Sequence, residues 1–350
     1  MKSVLFFGND RSPLSNERFM LLRKSLERDV YYFAYNKLEI RNDDKVISSL
    51  PVIFNLSVIR LFAMFFLMGW FLFRKQISVI HFHGASTVFC SLYSFLPRTK
   101  IITTPQGSDI NQNFKGYRKL FTWLLLKNSN VITAKSKTMA KRVYEIASKQ
   151  AKILNWGLAD EVFEFKYNPS ESDKKIKFLS PRGGSSIYNL DLIFKAIAQL
   201  KRKHRNIEFT YIDFNKKEQL ELDKSIVDIE YKDLNKKEFY AVLSKNDFIL
   251  SLPSHDGFST TIMEALAVGS LPVISDIPAY KAEFDERENI VSKVSINNIS
   301  VLVAHLEELI AAIADVRAGQ KRRTLFAYDN YSLEMQVAIL KAIYHNLNSK

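Results

Sequence analysis

Residues 248–275 read FILSLPSHDGFSTTIMEALAVGSLPVIS, and the order of side chains in that stretch decides the fold class. Phe248–Leu252 is a short apolar run of strand length, broken by the turn formers Pro253-Ser254-His255-Asp256-Gly257. Ser259, Thr260 and Thr261 open a helical stretch that Gly269 ends, and Pro272–Ser275 is again an apolar strand. Two strands apolar on both faces, joined through a helix, form the unit of a parallel sheet covered on both sides. In such a unit the N–H groups of the first helical turn, with Ser259 and Thr260 as caps, face whatever lies outside the strand end. Anions and nucleotides bind there in open α/β sheets. Asp256 lies in that loop, and Glu264 follows eight residues later, two turns into the helix.

The same alternation extends in both directions. Upstream of residue 165 the pattern predicts strands over Lys2–Phe7, Val30–Tyr35, Ile77–Phe82, Lys100–Thr104, Asn130–Ala134 and Lys152–Asn155. Helical stretches over 18–27, 56–74, 85–95, 115–128 and 136–148 separate most of them. A polar stretch around Asn168–Lys175 reads as a linker. Beyond it the pattern predicts strands Ile176–Ser180, Ile207–Phe214, Val227–Tyr231, Phe248–Leu252 and Pro272–Ser275, with helices over 188–203, 216–224, 235–244 and 260–268. A last helix, 332–347, follows a linker-like Asp329-Asn330.

A chain of 350 residues exceeds what one core usually serves, which agrees with two domains. Cys90 is the single cysteine, so no intrachain disulfide exists and a reducing compartment is expected, with the thiol packed in a core. Only Val4–Phe7 are apolar before Gly8, too short a run for a signal-peptide core, so a cytosolic protein is expected. The net charge of +13 is unevenly held. Residues 1–160 carry 24 Lys+Arg against 10 Asp+Glu, a net of +14, and residues 161–350 carry 26 against 27. Charge bias of this kind reports partners rather than fold: nucleic acid, an anionic membrane or an anionic substrate.

Leu61–Phe73 is thirteen residues without a charge, bounded by Arg60 and by Arg74-Lys75. A spanning helix needs roughly 20 apolar residues, so this run is too short to cross a bilayer. Tyr117–Lys127 repeats the mixture of bulky aromatics and basic residues. Both suit helices that rest in a membrane interface, and both also suit helices that cover a sheet.

Leu252–Ile274 resembles the nucleotide-sugar signature of the family-four retaining glycosyltransferases, which have the GT-B fold. The matched positions are Pro253, Ser254, Gly257, Phe258, Glu264, Ala265, Ala267, Gly269, Pro272 and Val273. The family places two glutamates eight apart; here the first is Asp256 and the second Glu264. The resemblance implies that Asp256 faces the donor sugar and the charge developing at its anomeric carbon. It implies that Glu264 accepts hydrogen bonds from the ribose hydroxyls, with Gly257, Phe258, Ser259, Thr260 and Thr261 lining the donor. Leu179–Gly183 with Leu190–Ile193 is similar to the family's first donor-domain strand and helix, which makes Arg182 a diphosphate clamp. The family adds a Lys about six residues on, where this chain has Ser186, Ile187 and Tyr188. Val227–Leu234 resembles the part that flanks the base, which brings in Lys232 and Leu234. Val79–Gly84 and Thr104–Ile110 resemble two acceptor-side motifs. They nominate His83 for proton exchange near neutral pH, Gln106 where the family often has His, and Asp109 for ordering the loop or binding acceptor hydroxyls.

The resemblance therefore implies two Rossmann-like doubly wound domains facing a cleft: an acceptor domain over 1–165, a nucleotide-sugar domain over 175–328, and a terminal helix over 329–350 that crosses back. The expected reaction is retaining transfer of a sugar from a nucleotide-sugar donor to a lipid-linked or membrane-proximal saccharide, as in bacterial surface polysaccharide or lipopolysaccharide assembly. The enzyme would sit peripherally on the cytosolic membrane face. No Asp-x-Asp pair or metal-spaced cluster stands out in the sequence, so neither a divalent metal nor another cofactor is expected. Two other readings stay open: a GT-B sugar-nucleotide epimerase, and a basic nucleic-acid-binding protein. The second would interleave aromatics and basic residues on an open surface, whereas here the aromatics gather in apolar helices, so no nucleic-acid partner is expected.

Overall fold

The computed structural model describes residues 3–8, 13–34, 45–48, 57–85, 88–95, 99–111, 114–167, 174–183, 186–213, 222–284 and 290–348. Residues 168–173 of the expected linker and most of the helix expected over 216–224 lie outside the described residues. The chain divides into two compact units, Met1–Trp156 with Val337–Lys350, and Gly157–Gln336.

Unit 1 runs β1 (Ser3–Gly8), α1 (Pro13–Ser25), β2 (Val30–Ala34), β3 (Val46–Ser48), α2 (Ser57–Arg74), β4 (Ile77–His83), α3 (Val88–Tyr93), β5 (Lys100–Thr104), α4 (Gly107–Ile110), α5 (Gly116–Asn128), β6 (Val131–Ala134), α6 (Lys137–Ala147) and β7 (Ala151–Ile153). The strands form one sheet in the order β3-β2-β1-β4-β5-β6-β7, and every pairing is parallel. Strand order reverses direction between β1 and β4, the switch point where the carboxyl ends of neighbouring strands leave a crevice. Side chains of β1 alternate faces. Val4 and Phe6 pack with Phe19 and Leu22 of α1 and with Leu340, Ile343 and Tyr344 near the C-terminus. Leu5 and Phe7 pack on the other face with Met68 and Phe71 of α2, and Cys90 and Tyr93 of α3. The C-terminal residues thus complete the core of unit 1.

Helix α2 buries Met68 and Phe71 but leaves Phe66 at 70%, Trp70 at 54% and Phe73 at 89% exposed. One helical stripe faces the sheet, and the remaining aromatics stay largely exposed. Helix α5 does the same: Thr122, Leu125 and Leu126 are buried, while Tyr117, Leu120 and Trp123 are exposed. Among the described residues no helix is long and apolar enough to cross a membrane.

Unit 2 repeats the plan with β8 (Ile176–Ser180), α7 (Leu190–Lys203), β9 (Ile207–Asp213), β10 (Ile229–Lys232), α8 (Lys236–Leu243), β11 (Phe248–Ser251), α9 (Thr260–Val268), β12 (Leu271–Ser275), α10 (Pro278–Phe284), β13 (Ser292–Val294), α11 (Ile299–Ala311), α12 (Ile313–Ala318) and α13 (Gln320–Tyr331). The sheet order is β10-β9-β8-β11-β12-β13, again parallel throughout, with its switch point between β8 and β11. Helix α14 (Leu333–Asn348) begins in unit 2 and ends in unit 1. Gly269 ends α9 at φ +97°, and a Cβ there would sit 2.6 Å from Gln320 Cγ, so both conformation and space call for glycine.

Some elements were not legible beforehand. The strands β3 and β13 are three residues each, too short to show a period. Helices α10 to α13 fill a region for which the sequence pattern assigned nothing. Asp329 and Asn330, turn formers by type, lie inside α13 rather than in a linker. The Asn330 amide donates back to the Phe326 carbonyl at 2.8 Å, and buried Ala327 and Tyr331 anchor the turn. The division between the units falls at Trp156/Gly157, ahead of the polar stretch at 168–175. Residues after Gly157 are held by unit 2: Leu158 N–H donates to the Tyr331 carbonyl at 2.7 Å, and Tyr167 N–H to that of Val268 at 2.7 Å.

Asp247, at the foot of β11, ties unit 2 together. Its buried carboxylate accepts from the Tyr167 hydroxyl, from Lys177 N–H at 2.8 Å and from Arg317 Nε at 2.9 Å. These partners lie on the entry segment, the first strand and α12. Asp247→Ala leaves all three donors without their acceptor and is expected to cost about 3–5 kcal/mol, the range for breaking a buried pair. Equilibrium urea unfolding measures it; a loss under about 1 kcal/mol would show that the three segments hold together without the carboxylate.

Candidate functional site

The carboxyl ends of β8 and β11 bring together side chains that are far apart in sequence. Arg182, just past β8, donates through Nη2 to the Ser259 hydroxyl and through Nε to the Ser251 hydroxyl at 3.4 Å. The same guanidinium lies 3.6 Å from Asp256 Oδ2 and 4.9 Å from the centre of the Tyr188 ring. Tyr188 therefore stacks on the fork rather than replacing a second cation. The Asp256 carboxylate is shared further: Oδ1 accepts the N–H groups of Gly257 at 2.6 Å and Phe258 at 3.3 Å, and Oδ2 accepts from the Tyr280 hydroxyl at 2.8 Å. Burial and the neighbouring Asp256 charge hold the Tyr280 phenol well above its usual range, so it stays a donor.

Phe258 adopts φ +140°, unusual for a residue with a side chain, and its buried ring sits 5.7 Å from that of Phe284 and 5.8 Å from that of Tyr331. Such a backbone costs about 1–3 kcal/mol and persists where packing over-determines it. Here it turns the chain from the Asp256 loop into α9. Ser259 occupies the N-cap position of α9, but its side chain makes no cap bond and receives Arg182 instead. That differs from the capping role expected of it. Thr260 and Thr261 are the first two helical residues, Thr260 exposed and Thr261 half-buried.

Glu264 points inward, 3% exposed, and its Oε1 accepts from Lys236 Nζ at 2.6 Å. Lys236 is placed by the N-terminus of α8, where Asn235 accepts from Glu238 N–H and Glu238 from Asn235 N–H. Lys232 is exposed, 3.9 Å from Glu230, and contacts none of these side chains; Leu234 is half-buried against the core. The other half of the loop is fastened by Ser254 N–H donating to the Ile187 carbonyl at 2.8 Å and Asn189 Nδ2 to the Leu252 carbonyl at 2.7 Å.

In unit 1 the residues nominated for the acceptor side also meet, at the carboxyl ends of β4 and β5. His83 Nδ1 lies 3.1 Å from the Ser15 hydroxyl; Nε2 receives Arg18 Nη1 and lies 3.0 Å from Gln106 Nε2. Burial, then the Arg18 charge, holds the imidazole well below its usual pKa. Both facts run against proton exchange at His83 near neutral pH: the ring is neutral and both nitrogens are engaged. His81 lies deeper on the same face, bonded to Tyr344 Oη and Thr104 Oγ1 at 2.8 Å each, with burial pushing its pKa down to about 3. Asp109 Oδ2 accepts Ala85 N–H at 2.8 Å and Gln106 N–H at 2.9 Å, so it orders the loop.

Residues 161–323 match the family model described as "Glycosyl transferases group 1". They are a group 1 glycosyl transferase domain. No curated protein matches the chain. Solved structures agree along its whole length. A glycosyltransferase from Rickettsia africae aligns with TM-score 0.76 at 16% identity, covering 99% of this chain and 98% of that one. Alr3699/HepE of Anabaena, in complex with UDP and glucose, aligns with TM-score 0.70 at 12% identity over 100% of both chains. The lipopolysaccharide outer core galactosyltransferase WaaB, in its apo form, gives 0.69 at 14% identity, over 99% of this chain and 100% of that one. At these identities the likeness shows the fold, which is GT-B.

Within the glycosyl transferase domain, sequence reasoning missed Lys236, Tyr280 and Ser251. The Asn235–Glu238 capping box marked where α8 begins and could have drawn attention to Lys236; nothing local points to Tyr280. Burial raises the Glu264 pKa, opposed by Lys236 and by Arg182. A raised carboxyl pKa means that the folded state binds the proton more tightly than the unfolded one. Stability from this group is therefore present below the ordinary value of 4.5 and declines as pH rises through the raised value. Glu264→Gln is expected to remove that decline. The difference in unfolding free energy between wild type and variant, measured from pH 4 to 7, should change across this window; a flat difference would mean that Glu264 titrates as a solvated carboxylate.

Proposed function

We propose that this group 1 glycosyltransferase moves a sugar from a nucleotide-sugar donor to a saccharide acceptor with retention of configuration. The observation that carries the reading is the meeting of Arg182, Ser259 and Asp256 at the switch point of unit 2, with buried Glu264 on the adjoining helix. The bound UDP and glucose of HepE support the donor class. In transfer the bond between anomeric carbon and diphosphate oxygen breaks, and its electron pair leaves with the nucleoside diphosphate. The planar fork of Arg182 and the start of α9 receive that charge, which supplies without a metal what a cation otherwise would. Asp256, held by the Tyr280 hydroxyl and two backbone N–H groups, offers a fixed negative charge to the positive character developing at the anomeric carbon. The acceptor hydroxyl forms the new bond on the face the diphosphate leaves, and its proton passes to the departing diphosphate oxygen. Glu264 accepts from the ribose hydroxyls, and Lys236 opposes the effect of burial on its charge.

Product analysis with radiolabelled donor tests this. Arg182→Gln is expected to lower kcat/KM by about 10²–10³, the loss of one preorganised charge donor. Asp256→Asn is expected to keep donor binding and lose transfer. Full transfer by Asp256→Asn would remove the carboxylate's role, and epimer or free monosaccharide in place of a glycosylated product would favour the epimerase reading.

The acceptor in this reading is lipid-linked, met by unit 1 at the cytosolic face of a membrane, as in assembly of a surface polysaccharide or lipopolysaccharide. Phe66, Trp70 and Phe73 of α2, Leu92 and Phe95 of and after α3, and Tyr117, Leu120 and Trp123 of α5 are exposed. Helix α2 reaches α3 through the Phe65 and Tyr93 rings, 4.8 Å apart, and Asn128 at the end of α5 bonds Ser94 just past α3 at 3.1 Å. Arg74 covers the Trp70 ring at 5.1 Å, and Lys75, Lys115, Arg118, Lys119 and Lys127 flank the aromatics. Residues 45–108 contain no Asp or Glu. Apolar rings rimmed by cations complement an anionic bilayer interface. Cosedimentation with phosphatidylglycerol vesicles at physiological salt should capture the protein, and Trp70→Ser with Phe73→Ser should reduce capture at least tenfold. Absence of wild-type binding would leave a soluble acceptor.

A further inference from the structure

Among the described residues, the buried cation Arg18 of unit 1 has no counter-charge. Arg18, on α1, is 8% exposed and turned into the protein at the carboxyl ends of β4 and β5. Its hydrogen bonds go to His83 Nε2 and, at 3.5 Å, to Gln106 Oε1; both partners are neutral. Its guanidinium lies 5.2 Å from the centre of the Trp156 ring. Among the described residues no carboxylate forms an ion pair with it. Its acidic influence comes from Glu17 alone, an exposed neighbour in sequence that does not offset burial, and burial brings the Arg18 pKa down to about 10. Asp109 is occupied with two backbone N–H groups.

The surroundings add donors rather than acceptors. The Trp156 indole N–H is buried without a hydrogen-bond partner among the described residues. The amide nitrogen of Gln106 faces His83. Gln106 and Gly107 are partly open, Ser108 is exposed, and nothing stands within 4 Å of where a Cβ on Gly107 would be, so the cluster is reached from the α4 side. Burying a guanidinium without an anion costs far more than hydrogen bonds to neutral groups return. A cation kept there, in the switch-point crevice of a doubly wound sheet, is a site waiting for an anion.

We propose that Arg18, with Gln106 and Ser15 around His83, forms a phosphate-binding subsite in unit 1 that takes a phosphate or diphosphate group of a substrate. The planar fork suits two phosphate oxygens, and the neutral His83 holds one of its arms in place by accepting from Nη1. On the reading of unit 1 as the acceptor side, on which this rests, the acceptor carries its sugar on a phosphate, the linkage that a lipid diphosphate carrier has. The donor diphosphate is the other source of the same chemistry, and competition separates the two.

The experiment is calorimetric titration of the full-length chain with inorganic pyrophosphate. It is done in the Arg182→Gln background so that the unit 2 clamp does not contribute. Binding is expected to persist there and to weaken at least tenfold when Arg18→Met is added. Arg18→Met is also expected to raise Tm, because it removes an unpaired buried charge; a structural arginine would lower it. Should Arg18→Met fail to fold, Gln106→Glu provides the test. It sets a carboxylate beside the guanidinium on a partly open residue, and should raise Tm and abolish pyrophosphate binding. UDP at saturation leaving pyrophosphate in place assigns the site to the acceptor phosphate, and displacement assigns it to the donor. Pyrophosphate affinity unchanged by both Arg18→Met and Gln106→Glu, or absent with Arg18 intact, overturns the subsite. Transfer from the nucleotide-sugar donor would stand in that case, because it depends on unit 2 and is read by its product.

Discussion

Parallel pairing is the constraint on which the rest of this structure depends. When every strand of a sheet runs the same way, all carboxyl ends lie along one edge. Each chain reversal at that edge is a loop leading into a helix. Gly8, His83 and Thr104 end strands at that edge of unit 1, and Ser180, Lys232 and Ser251 do so in unit 2. Each group discussed for binding or chemistry lies at such a strand end or just beyond it, with Arg18, Glu264, Lys236 and Tyr280 reaching in from helices. The sheets can sustain this because their central strands are buried on both faces, and buried apolar area supplies the cohesion that strained loops spend.

The strain is local and has a visible use. Phe258 holds a backbone conformation that suits glycine, while Gly257, beside it, has open space where a Cβ would be. The conformation is kept by the Phe258 ring, packed against Phe284 and Tyr331, and by Asp256 collecting the two N–H groups that the turn exposes. The same carboxylate faces Arg182. A turn that fixes a negative charge in front of a positive fork, at the start of a helix, is preorganised for a reaction in which a diphosphate anion separates from a cationic carbon.

The two units use ionisable groups in opposite ways. In unit 2 the carboxylates are matched: Glu264 has Lys236, Asp247 has Arg317, and Asp256 has Arg182, while the buried Arg323 donates to the Gly269 and Val316 carbonyls. In unit 1 burial holds the imidazoles His81 and His83 toward the neutral form, and among the described residues Arg18 is left as a charge without an opposite. The net positive charge of the first 160 residues therefore has an interior component as well as the basic rim around the exposed aromatics of α2 and α5.

The sequence by itself determined that two parallel-sheet domains exist, because short apolar strands and periodic helices encode burial on both faces wherever they occur. It also determined the loop at 253–259 and the helix that follows, since Pro253 and Gly269 act through local backbone preference. What it could not show was which side chains meet. Arg182 and Ser259 are 77 residues apart and their contact exists because β8 and β11 are neighbours, a pairing that long-range topology decides. Tyr280 and Lys236 reach Asp256 and Glu264 for the same reason. The state of His83 was equally out of reach: its residue type suits proton exchange, and only burial beside Arg18 makes it a fixed acceptor. Local preference is written residue by residue, whereas desolvation and charge pairing depend on everything that packs around a group.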